Sequence, residues 1–85
     1  MSSLRETAQE YKDDVQLYID KIKEYDLAYI AHIESRNGVF SSDDIDSLRV
    51  NLDEIAQCYR DMRAIDDFLD FYESRSSASK VSEED

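Results

Sequence analysis

Apolar side chains recur early in the chain at Leu4, Ala8, Tyr11, Val15, Tyr18, Ile22, Tyr25 and Tyr29, alternately four and three residues apart. A heptad of this kind keeps one stripe of an α-helix turned toward a partner helix. His32 takes the next position, and the pattern stops at Asn37-Gly38, where glycine supplies a left-handed residue after a helix. Ser3 with Glu6 three residues later forms a capping box at the other end. The pattern predicts helix one over about 4–36, roughly 50 Å long.

A second stripe runs through Ile45, Leu48, Leu52, Ile55, Tyr59 or Cys58, Met62, Ile65, Leu69 and Tyr72. The two candidates at 58–59 imply a one-step slip of the heptad there. Ser41 is a good N-cap, Asp44 suits the reciprocal box position, and Phe40 with Ile45 fits a hydrophobic staple. Helix two is thus expected over about 42–73. The short turn, 37–40, makes the helices antiparallel neighbours and pairs positions whose numbers add to about 77. In that register Ile22 meets Ile55, Tyr18 meets Tyr59, and Tyr11 meets Asp66, where a phenol can donate to a carboxylate.

The expected fold is all-α: an antiparallel, coiled-coil-like two-helix hairpin over 1–73. Residues 74–85, rich in serine and acid and without periodicity, read as a disordered tail. Ser82 ahead of Glu83, Glu84 and Asp85 has the context of an acidophilic kinase site, although a soluble end is the plainer reading.

One zipper layer leaves apolar residues over. Leu17, Leu27 and Val50 fall off the stripes, Ile19, Ile30 and Ile33 flank the first stripe, Phe68 and Phe71 widen the end of the second, and Tyr72 closes that stripe near the open end. A stripe this wide is what a bundle helix carries. Ile19, Ile30, Ile33, Phe68, Phe71 and Tyr72 are therefore the candidate apolar contacts for self-association or a partner, completing a four-helix bundle by dimerisation or with another protein. The six tyrosines suit half-wet surfaces, with rings packed and hydroxyls at a rim.

Composition narrows the function. The 85 residues include one Gly, no Pro and one Cys, which excludes disulfide-stapled scaffolds and turn-rich β folds. No apolar run is long enough for a membrane span, and the first twenty residues lack the apolar stretch of a secretory signal, so a cytoplasmic protein is expected. The formal charge is −11. That sign disfavours direct contact with nucleic acid or an anionic membrane and favours a basic protein partner.

The acid is concentrated in helix two: residues 43–73 sum to −7, residues 4–36 to −3. Asp61, Asp66, Asp67, Asp70 and Glu73 lie toward its end, and Asp43, Asp44, Asp46, Asp53 and Glu54 toward its start. These ten are the candidate partner-binding acids, weighed against a solubilising role. Carboxylates in a helix's last turns oppose its macrodipole, and Arg5 and Lys12 on the adjoining helix are placed to offset them.

Catalytic inventories fail. His32 and Cys58 fall far apart in the hairpin register, so no nucleophile meets a base. One His and one Cys cannot make a zinc site, and the Asp44-x-Asp46 start of a calcium loop has Arg49 where glycine is required. No enzyme, cofactor, metal or small-molecule substrate is expected. The favoured reading is a non-enzymatic antagonist docking on a basic, nucleic-acid-binding protein; anti-CRISPR proteins and DNA mimics resemble it in size and charge. The alternatives are a structural or adaptor subunit of a coiled-coil complex, and an immunity protein or antitoxin.

Overall fold

The computed structural model describes the backbone of residues 3–84 and the side chains of residues 3–75. Two helices account for nearly all of it: α1, Leu4–Arg36, and α2, Ser42–Glu84. Both starts are capped as the local sequence requires. The Glu6 amide donates to Ser3 Oγ at 3.1 Å. At α2 the box is reciprocal: the Asp44 amide donates to Ser41 Oγ at 3.1 Å, and the Ser41 amide donates to Asp44 Oδ2 at 2.8 Å. α1 ends where Gly38 adopts φ +69° and its amide donates to the Ile33 carbonyl at 3.0 Å. The Val39 amide then donates to Asn37 Oδ1 at 2.8 Å, turning the chain back.

The helices pack as an antiparallel hairpin. Asn51 donates to Asp26, Lys12 pairs with Asp66 and Arg5 with Glu73, all close to the register expected from the turn. The core is one line of side chains; among the described residues Ile19, Ile33, Ile55 and Leu69 are buried and only Ile19 fully so. The molecule measures 72 × 24 × 12 Å, with a radius of gyration of 20.2 Å against about 12 Å for a compact chain of this length. It is a single layer of helices, open on both faces.

Three expectations are corrected. The α1 seam runs through Ala8, Lys12, Val15, Ile19, Ile22, Asp26 and Ile33, all buried or half-buried, so Ile19 and Ile33 are interhelix core and not free docking residues. Tyr11, Tyr18 and Tyr25 turn to the rim, one position away, and Lys12, not Tyr11, engages Asp66. A phenol needs water or an acceptor for its hydroxyl, which the rim offers, while the Lys12 stem lies along the seam and its ammonium reaches out.

In α2, Leu48, Asn51, Ile55, Cys58, Met62, Ile65 and Leu69 make an unbroken heptad without the expected slip. Ile45, Leu52 and Tyr59 are exposed beside it. Finally, helical backbone continues past residue 73 to Glu84 where a tail was expected. Residues 74–84 contain neither Gly nor Pro, so nothing covalent stops the helix. The Ser82 side chain lies outside the described residues.

Candidate interaction surfaces

Residues on either side of a seam position diverge by about 100° each, so the neighbours of Asp26, Tyr25 and Leu27, lie on opposite faces of the hairpin. The first face is the tyrosine face. Tyr18 donates to Glu54 and Tyr29 to Asp44, each phenol bridging the two helices. These bonds hold the carboxylate form: the phenol of Tyr29 and the Ser41 cap set Asp44 below its ordinary range, and the carboxylates push Tyr18 and Tyr29 above theirs. Toward the open end Leu4, Ala8, Tyr11, Ile65, Phe68 and Leu69 line an apolar groove of about 350 Å³. Phe68 stacks on Tyr72 with centroids 6.4 Å apart, and both, like Phe71, remain exposed.

The second face is apolar in its turn half. Leu27, Ile30, Leu48, Leu52 and Ile55 line another groove of about 350 Å³, with Lys23 at its edge. Leu27 is 67% exposed and Leu52 60%. The Lys23 ammonium sits 5.7 Å from the Tyr59 ring centroid and donates to the Tyr59 hydroxyl at 3.2 Å. Farther along, Arg5 forks onto Glu73 at 2.8 and 2.7 Å, and Lys12 holds Asp66. The Arg5 fork lowers the Glu73 carboxyl and raises the guanidinium.

The candidate acids therefore divide. Asp44, Glu54, Asp66 and Glu73 are held by the opposite helix; Asp61 accepts from Gln57, and Asp46 lies 3.6 Å from Arg49 within α2. Asp43, Asp53, Asp67 and Asp70 are exposed. No hydrogen bond or ion pair occupies those four among the described residues. Because α2 continues beyond residue 73, Asp66, Asp67 and Asp70 lie inside the helix, away from the terminal turn where a macrodipole penalty applies.

Of the candidate apolar residues, the structure leaves Phe68, Phe71 and Tyr72 exposed and Ile30 half-buried. The exposed Leu27 and Leu52 complete the second groove. Their signal was their position one residue beyond Asp26 and Asn51, which only becomes visible once that polar pair is placed inside the seam.

Cys58 is half-buried within the seam, and burial, then Glu54 and Asp61, pushes its thiol upward, away from a reactive thiolate. Among the described residues no three His, Cys, Asp or Glu side chains gather as a metal site needs, and no helix is long and apolar enough to cross a membrane. Comparison with protein-family models, with curated proteins and with solved structures finds no match to this chain.

Proposed function

We propose that this chain is a non-enzymatic protein-binding module: a small, acidic, helical antagonist that docks on the basic surface of another protein, itself of the nucleic-acid-binding kind. The observation that carries this reading is the division of the acids. Arg5 and Lys12, the cations that reach across from α1 to acids of α2, are taken up by Glu73 and Asp66. Asp43, Asp53, Asp67 and Asp70 remain on the exterior of α2 for a cationic partner. A cytoplasmic setting and function without cofactor, metal or small-molecule substrate belong to the same reading, as does completion of the open faces to a four-helix bundle by a second copy or a partner. An immunity protein or antitoxin facing a basic toxin would use the same surface.

A second reading, a structural or adaptor subunit in a helical assembly, is favoured by one feature: the exposed Phe68, Phe71 and Tyr72 beside the open-end groove. Charge reversal separates the two. Asp67→Lys with Asp70→Lys is expected to abolish capture of a basic protein from a source-cell lysate by the tagged chain, with helical circular dichroism unchanged. Asp66 is left intact because its reversal would also break the bridge to Lys12. Equal capture by wild type and variant refutes the assigned surface, and capture lost instead with Phe68→Ser and Tyr72→Ser supports the adaptor.

A further inference from the structure

The hairpin exposes 6825 Å², whereas a compact chain of its 9.9 kDa exposes about 5,200 Å². The surplus is about 1,600 Å², more than the ~800 Å² that one partner contributes to a standard interface. Charge selects which face takes that partner and what it is. Among the described residues, the only acid lining the groove of Leu27, Ile30, Leu48 and Leu52 is Asp26, whose carboxylate already accepts from Asn51 at 2.6 Å. The cation at the edge, Lys23, rests on Tyr59.

In a chain of charge −11 this groove is therefore a site without a free acid among its lining residues. A basic protein finds nothing to neutralise there. A second acidic chain meets no free carboxylate among those lining residues, so the repulsion it feels is that of the two net charges.

We propose that a second copy of this chain covers the Leu27–Leu52 groove in an isologous dimer. The proposal deepens the bundle completion proposed above and rests on it. The two-fold axis passes near Leu27 and Leu52, so the turn halves overlap antiparallel and form a short four-helix bundle. That arrangement holds the two sets of Asp66, Asp67 and Asp70 at opposite ends, where like charges are farthest apart. The tyrosine faces stay outside it.

Light scattering behind size-exclusion chromatography, over a range of concentrations and at low and high salt, tests this. The wild-type chain is expected near twice 9.9 kDa, with the dimer fraction rising as salt screens the mutual repulsion. Leu27→Glu with Leu52→Glu is expected to give a monomer of unchanged helicity, since both side chains are exposed in the hairpin. Leu27→Gln with Leu52→Gln is expected to give the same loss without added charge, and Phe68→Glu in the other groove is expected to stay dimeric. A monomeric wild type overturns the proposal, as does a dimer that survives both Leu27/Leu52 double variants or is lost with Phe68→Glu. A monomer that still captures a basic protein through Asp67 and Asp70 overturns the dimer alone; a dimer that captures none overturns only the antagonist reading.

Discussion

Ile19→Ala is expected to remove most of the stability of the hairpin. Among the described residues Ile19 is the one fully buried side chain, at 0% exposure, in a core of four buried apolar residues. Truncating a buried isoleucine to alanine costs about 2–5 kcal/mol, and a core this small supplies only about 3–5 kcal/mol in all. Helical circular dichroism followed through urea or heat should show the folded baseline shortened or absent. Leu17→Ala, at a side chain 59% exposed two residues away, should move the transition by about 0.5 kcal/mol or less. Tyr18→Ala should cost less than Ile19→Ala, because Tyr18 lies at the rim on Glu54. If Tyr18→Ala proves the more damaging, the seam runs through the tyrosines.

Asn51→Leu is the second large effect. Asp26 is 9% exposed and its carboxylate accepts from Asn51 Nδ2 at 2.6 Å in the middle of the seam. Leucine at 51 leaves that carboxylate buried without its donor, at a cost of about 1–3 kcal/mol. Replacing both, Asp26→Leu with Asn51→Leu, should return the loss and exceed the wild type, since a matched apolar pair avoids desolvating either group. The double variant should also bind its register less strictly, because a polar pair that matches at only one offset penalises every other alignment. Urea denaturation of the three proteins decides it. An Asn51→Leu chain as stable as wild type would mean that Asp26 reaches water and takes no part in the core.

These two sites also mark how much of the fold was legible in the sequence. The heptad period, the caps at Ser3 and Ser41, the stop at Asn37-Gly38 and the antiparallel register all follow from local chemistry, and the structure carries them. The rotation of the helices about their own axes does not. A period of 3.5 describes adjacent columns equally well, and hydropathy chose Tyr11, Tyr18 and Tyr25 over Lys12, Ile19 and Asp26 because two of the latter are charged. What decides the matter is pairwise. Asp26 is acceptable inside because Asn51 stands opposite, and Lys12 because its stem packs while its ammonium reaches Asp66.

One signal was present: Ile19 and Ile33 are two heptads apart, as are Ile55 and Leu69, and these four make the core. The same rotation explains the surfaces. It withdraws Ile19 and Ile33 from the candidate contacts and brings Leu27 and Leu52 forward in their place. It also separates the acids held between the helices from Asp43, Asp53, Asp67 and Asp70, which stay on the outside. The ten carboxylates of residues 43–73 read as one acidic stretch in the sequence, whereas in the folded hairpin four are held by the opposite helix, Asp46 and Asp61 have partners within α2, and the other four have neither hydrogen bond nor ion pair among the described residues.

The salt dependence of capture tests the central claim most directly. The tagged wild-type chain is incubated with source-cell lysate at about 0.05 M and about 0.5 M salt, where the screening length falls from well beyond to well within the reach of exposed charges. Docking through Asp43, Asp53, Asp67 and Asp70 predicts a basic protein retained at the lower concentration and released at the higher. Retention of the same protein at both concentrations would contradict it and assign the contact to the apolar faces.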